Sequence, residues 1–376
     1  MSVIIEDLCK LLEIDADALA VLAEAAPRMY SRFKIPKKNG GMRSIEQPAE
    51  IIKKVQYFLI DVLEELPVHP SATAYVKGKG IKNNAQLHKN NRFLLKLDFT
   101  DFFHSIRPID FRRHIRSKLG SKFNRQELAI IWRFLFFSKD FPEGDSRLRP
   151  GHVKELCLSI GAPSSPFISN TMLFDFDDAV YSICEEENVI YSRYSDDLTF
   201  STNQAKTLSR VERKVRRVIQ ENGYSYLEIN PSKTISLSKK YSRRITGLVI
   251  TNDSAVSIGR KRKRQLKSTI FSYQNGLLSD QEMSQLAGWL SFVKDVEPSF
   301  LVALKKKYGK SVIDSIWRSK PSSVPSVKPF EGQKKIPPTK IIEPLIEYIC
   351  KFCGTANVSD DSFFRVCTHC KSGSFR

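Results

Sequence analysis

Residues 191–201 read Tyr191-Ser192-Arg193-Tyr194-Ser195-Asp196-Asp197-Leu198-Thr199-Phe200-Ser201. Strand formers flank two adjacent carboxylates, with Val189, Ile190 and Tyr191 before them and Leu198, Thr199 and Phe200 after. The pattern predicts strand, tight turn, strand. Like charges side by side repel unless a cation neutralises them. A pair of Mg²⁺ ions would do so, because hard cations take oxygen ligands. Asp-Asp is also a common solvated turn pair that binds nothing, so the meaning of this stretch rests on the residues around it.

The 376-residue chain has room for about two or three domains. Its 41% hydrophobic and 27% charged residues describe a globular protein rather than a disordered one. Sixty Lys and Arg against forty-one Asp and Glu leave a net charge of +19, with a pI near 9.6. That is the electrostatic footprint of a nucleic-acid binder, although charge alone also fits a basic protein that merely stays soluble. No segment approaches the roughly 18 consecutive apolar residues of a membrane helix. The opening Met-Ser-Val-Ile-Ile-Glu-Asp lacks the basic start and cleavage site of a signal peptide. A cytoplasmic location with no membrane partner is expected. Cys9, Cys157 and Cys184 are scattered in apolar or mixed settings and read as reduced packing residues.

Apolar positions at helical spacing (Ile4, Leu8, Leu11, Leu12, then Leu19 and Leu22) predict two short helices broken near Asp15, in a segment spanning 1–30. Asn39-Gly40 between apolar flanks predicts a hairpin. Ile51 to Leu66 reads as an amphipathic helix ended by Pro67, and residues 92–99 as a buried strand. Strands and helices alternate through 31–250, a mixed α and β region. Residues 251–318 turn helical and basic, opening on Arg260-Lys261-Arg262-Lys263-Arg264 and Lys267. Prolines at 321, 325, 329, 337, 338 and 344 mark an extended linker over 319–344, and 345–376 forms a separate small unit.

Asp98 ends the apolar run Phe93–Leu97. A carboxylate there needs a partner or a metal, or it serves as a helix cap or satisfied core acid. Further on, Gly161-Ala162-Pro163-Ser164-Ser165-Pro166 suits a loop entering a helix and a close backbone approach to a ligand. An Asp-ended strand, this loop, and Tyr-Ser-Asp-Asp, in that order, resemble the palm of a reverse transcriptase. Asn84-Ala85-Gln86-Leu87-His88 matches an Asn-Ala-x-x-His pattern, and Ile245-Thr246-Gly247 is close to Val-Thr-Gly. Both are characteristic of bacterial retron reverse transcriptases, and the resemblance spans roughly residues 25 to 318. Ile160 stands where the family usually has Gln, Ser195 where Ala is commoner, and Ile245 replaces Val.

The resemblance implies an α+β right-hand fold of fingers, palm and helical thumb. It implies an RNA-directed DNA polymerase that copies a structured non-coding RNA from dNTPs, primed by a 2′-hydroxyl of that RNA. The product is branched RNA-linked DNA, and an anti-phage role with a co-encoded effector protein is expected. Two Mg²⁺ would sit on Asp98 and Asp196 as bridging ligands, with Asp197 completing the set. Phe103 matches the aromatic residue that packs beneath the sugar and rejects a 2′-hydroxyl; core filling is its other reading. Gly161 belongs to the nucleotide site. Arg43 and Lys38 flank the Asn-Gly turn and either clamp the triphosphate or are solvated. Lys233 matches a lysine that protonates leaving pyrophosphate, with a plain surface lysine as the alternative. Arg260, Arg262, Lys263, Arg264 and Lys267 would grip nucleic-acid phosphates, unless the run is only a solvated face. His88 either supports the RNA partner or holds the local fold. Two rivals are a maturase-like or abortive-infection reverse transcriptase and a non-catalytic RNA-binding scaffold. The signature patterns argue against the first, and retention of three acids against the second.

The tail carries Cys350-x2-Cys353-x13-Cys367-x2-Cys370. Two such pairs suit one tetrahedral Zn²⁺ on four thiolates, and His369 is an alternative ligand. So short a unit needs a staple to fold, and a reducing compartment favours zinc over disulfides. RNA grip and partner docking both remain open as its role.

Overall fold

A computed structural model describes residues 3–37, 40–139 and 155–318, and the backbone of four later strands. Those four form two antiparallel pairs, Ile346–Ile349 with Ala356–Ser359 and Phe364–Val366 with Gly373–Phe375. The expected linker, Cys350, Cys353, Cys367, Cys370, His369 and Lys38 lie outside the described residues.

Alternation along the strand Phe93–Asp98 organises the molecule. It lies in a four-stranded antiparallel sheet ordered Ile190–Tyr194, Asp197–Thr202, Phe93–Asp98, Ile235–Ser238. Successive side chains point to opposite faces. Leu95, Leu97, Leu198, Phe200 and Tyr191 therefore share one face, and all are buried in the larger core. Tyr191 and Phe200 stack across the strands with ring centroids 5.0 Å apart. Helices Phe174–Glu186 and Thr207–Glu221 cover this face, the second through Leu208, Val211, Val215 and Ile219 at helical spacing. Each fully buried side chain of this kind contributes about 1.5–3 kcal/mol. The opposite face carries Leu94, Lys96 and Asp98, beside Asp197, Thr199 and Ser201 on the next strand. It is apolar at one end and ionic at the other.

The early hairpin pairs Tyr30–Pro36 with Met42–Pro48. Its loop spans 37–41 and closes with Lys37 N donating to Gly41 O at 2.9 Å. Gly40 and Gly41 take φ of 88° and 78°, which glycine adopts without strain. The first two helices, Val3–Leu12 and Ala16–Ala25, are separated by Asp15, whose carboxylate caps Ala18 N at 2.8 Å. The next helix, Glu50–Val62, stops short of the expected Leu66 and passes through turns to Pro67. A second core holds Ala85, Leu94, Ile245 and Leu248 against four helices: Arg260–Gln274, Asp280–Val296, Pro298–Tyr308 and Lys310–Arg318. No helix among the described residues is long and apolar enough to cross a membrane.

Both short signature patterns meet on the helix Ile81–Leu87. His88 is fully buried just past its end, bonded at 2.7 Å to Ser201 Oγ through Nδ1 and at 2.7 Å to Ser192 Oγ through Nε2. Ser192 Oγ also donates to Asn84 Oδ1 at 2.5 Å. Thr246 and Gly247 form a two-residue turn with φ of 46° and 85°, and Thr246 Oγ1 donates to Ile81 O at 3.3 Å. Such a turn needs positive φ at both positions. With no exposed surface, His88 holds the fold and touches no partner. Burial pushes its imidazole down to about 3. Below about pH 6.5 the unfolded chain therefore binds a proton that the folded chain refuses. His88 is expected to cost about 1.4 kcal/mol of stability per pH unit as pH falls from there towards 3. Denaturant midpoints should fall with pH more steeply in the parent than in His88→Gln.

Candidate active site

The ionic end of that second face brings the three predicted acids together. Asp98 and Asp197 are register partners on neighbouring strands, and Asp196 sits in the turn after Tyr194. Phe99 N donates to Asp196 O at 3.1 Å, tying the turn to the end of the central strand. Asp98 is only 8% exposed. Burial, then the neighbouring Asp197 and Asp98, pushes the Asp196 carboxyl up to about 6. Burial also raises Asp197, against the pull of Lys96, whose Nζ lies 3.8 Å from it. Lys233 Nζ donates to Asp98 Oδ1 at 2.6 Å. Two ammonium groups against three crowded carboxylates leave an excess of negative charge. That excess, made wholly of oxygen donors, fits divalent hard cations. Among the described residues no group of three or more His, Cys, Asp or Glu side chains stands arranged to hold a metal ion.

A buried ion pair that sequence reasoning missed supports the turn. Arg193 and Asp177 both have fully buried side chains and bond at 2.6 Å (Nη2 to Oδ2) and 2.9 Å (Nε to Oδ1). Tyr191 Oη donates to Asp177 at 2.7 Å. The remaining guanidinium nitrogen, Nη1, donates to Asn170 Oδ1 at 3.0 Å and to Ser195 O at 3.2 Å. Ser195 has φ of 59°, an uncommon conformation for a residue with a side chain, and its carbonyl is held from inside. Asn170 Nδ2 also donates to Ala74 O at 2.8 Å, joining the segment before Tyr75 to the same network.

The adjacent phenylalanines divide their roles. Phe102 is 4% exposed and stacks on Phe99 with centroids 5.6 Å apart, while Phe103 is half-buried. Both belong to the four-residue helix Phe102–Ser105. Gly161 lies against the early hairpin with φ of 136°, and a Cβ there would stand 2.8 Å from Glu46 O. Gly161→Ala is therefore expected to displace that hairpin, costing about 1–3 kcal/mol, read as a lower melting temperature and a raised KM for dNTP. Arg43 is exposed near the tip of the same hairpin.

The basic helix Arg260–Gln274 separates its cations. Arg260, Arg264 and Lys267 are exposed. Arg262 donates to Gly247 O at 3.2 Å and lies over the Trp289 ring. Lys263 pairs with Glu297 and lies over Phe300. Lys267 Nζ also lies 5.9 Å from the Phe300 ring centroid, and these partners within the fold are invisible in a run of cations.

A family model described as reverse transcriptase (RNA-dependent DNA polymerase) matches residues 35–250, a span that contains all three aspartates. Fold and site thus define an RNA-directed DNA polymerase. Retron Ec83 reverse transcriptase of Escherichia coli is 38% identical over 299 residues, covering 79% of this chain and 92% of that protein. Retron Ec73 reverse transcriptase of Escherichia coli is 29% identical over 299 residues, covering 76% and 89%. Among solved structures, apo telomerase from Candida Tropicalis shares 12% identity over 77% of this chain and 58% of that one, with a TM-score of 0.48, too distant to add to the assignment. The chain belongs to the retron reverse transcriptases.

Proposed function

We propose that the enzyme copies part of a dedicated structured RNA into DNA, primed by a 2′-hydroxyl of that RNA, and leaves a branched RNA-linked single strand. One observation carries the catalytic part: Asp98 and Asp197 in register, with Asp196 in the adjoining turn, at the ionic end of one sheet face. In this reading Asp98, Asp196 and Asp197 would hold two Mg²⁺. When bound, these ions supply charge neutralisation and lower the pKa of the attacking hydroxyl. The chain's own part is alignment. Phe103 packs beneath the sugar and excludes a 2′-hydroxyl, and Gly161 and Arg43 border the triphosphate. Lys233, which donates to Asp98 Oδ1, is in this reading the group that would protonate departing pyrophosphate. Lys38 joins Arg43 in clamping the triphosphate. Arg260, Arg264 and Lys267 grip phosphates directly, while Arg262 and Lys263 brace the helix that carries them.

The domain division belongs to the same proposal. An N-terminal helical segment (1–30) precedes interleaved fingers and palm (31–250), a thumb (251–318), a linker (319–344) and a zinc module (345–376). One structural Zn²⁺ on Cys350, Cys353, Cys367 and Cys370 suits the ligand spacing. The cytoplasm as the site of action, a role in defence against phage and a co-encoded effector protein are parts of the same proposal. The net charge of +19 suits the RNA partner. Purified enzyme given its copurifying RNA, Mg²⁺ and labelled dNTPs should yield DNA that stays joined to an RNA nucleotide after ribonuclease treatment. Labelled DNA without that branch would favour a differently primed reverse transcriptase, and no incorporation would favour a scaffold.

A further inference from the structure

Glu46 is an anomaly in the early hairpin. It is 1% exposed, on a strand whose neighbours Arg43 and Gln47 are exposed. Its backbone N donates to Ile160 O at 2.9 Å, and its Oε2 accepts from Ile160 N at 3.0 Å. The same oxygen faces His104 Nε2 at 3.1 Å. On the far side of the ring, His104 Nδ1 lies 2.8 Å from Asp101 Oδ1. The ring thus lies between two carboxyl groups, one on each ring nitrogen. Lys139 Nζ adds a contact to His104 O at 3.4 Å. Burial works against the Glu46 charge, but the bonds from His104 and Ile160 N outweigh it and hold the carboxyl below its usual range.

Three segments meet at Glu46: the hairpin that carries it and Arg43, the loop entering Gly161 and, through His104, the helix bearing Phe103. That helix is a single turn, far too short to hold its own orientation. Two anchors fix it. Phe102 is driven inward onto Phe99, and His104 is tied outward to Glu46. Phe103 lies between them in sequence, and successive helical residues are rotated by about 100°. With the second anchor gone, rotation about the first swings the Phe103 ring.

We propose that Glu46 and His104 are positioning residues for sugar selection, a strut that sets how closely Phe103 approaches the incoming nucleotide. The proposal rests on the assignment of Phe103 as the sugar-excluding residue. Single-nucleotide incorporation by the full chain on its RNA, with dNTP and with the matching NTP, tests it. His104→Ala is expected to raise KM for dNTP about tenfold and lower kcat no more than about threefold, since small displacements of positioning groups act at this scale. The dNTP-to-NTP ratio of kcat/KM should fall about tenfold. Glu46→Gln should shift the ratio the same way. His104→Gln, which keeps a donor towards Glu46, should recover part of it.

Phe103→Val separates the two assignments. If it leaves NTP use unchanged, Phe103 is not the sugar gate. If it relaxes selection while His104→Ala and Glu46→Gln keep the parent ratio, the strut is wrong and the gate stands. Equal losses for both nucleotides, with a lowered melting temperature, would reduce Glu46 and His104 to fold support and overturn the proposal.

Discussion

Asp196→Asn is expected to lower DNA synthesis by about 10²- to 10³-fold without lowering the melting temperature in chelator-treated enzyme. The loss follows from removing a charge placed where phosphoryl transfer needs it, and interactions of that kind are worth about 10²–10³ each when one group is deleted. The stability expectation has the opposite sign. Asp196 is pushed up to about 6 by burial and by two carboxylates beside it, so its charged form is disfavoured in the folded chain. Asparagine keeps the shape and removes the repulsion, a gain on the order of 1–2 kcal/mol. Lys233 and Lys96 then face fewer competing acids. Labelled dNTP incorporation and thermal melting of the same preparation check both halves. Retained synthesis would refute the role of Asp196. A lost activity accompanied by a sharply lowered melting temperature would show that the variant had simply failed to fold.

Short-range signals in the sequence anticipated much of this site. Asp98 after an apolar run, and Asp196-Asp197 between strand formers, depend on period-two alternation and local turn chemistry. The strands formed at 93–98, 190–194 and 197–202 accordingly. What supports the acids was not legible. Arg193 reads as an ordinary strand residue, and Asp177 lies 16 positions earlier on a helix, yet they share a fully buried bond. Glu46 and His104, 58 residues apart, are likewise joined only by folding. The Phe102-Phe103 pair left open which ring turns inward until the stack on Phe99 decided it. His88 was ambiguous because a buried and a ligand-facing histidine look alike in sequence; the serines that satisfy it lie 104 and 113 positions away. A run of five cations likewise cannot show that Lys263 answers Glu297 across the helical unit.

Asp177→Asn is expected to destabilise the enzyme by about 3–5 kcal/mol, because it leaves the Arg193 guanidinium buried without a counter-charge. In a chain of this size that corresponds to a fall in melting temperature of about 10 °C. Burial alone would depress Arg193, and Asp177 reverses this, holding the guanidinium above its usual value. The pair also has a mechanical task, since the same guanidinium holds Ser195 O, one residue before Asp196. Stability and alignment can be separated by replacing both partners. Arg193→Met in the Asp177→Asn background removes the stranded charge, so part of the melting temperature should return. Synthesis should not return, because Ser195 O and Asn170 Oδ1 still lack their shared donor. If the double variant regained both, the ion pair would serve the fold alone, and the positive φ of Ser195 would be maintained by the strand register of the hairpin without help from Arg193.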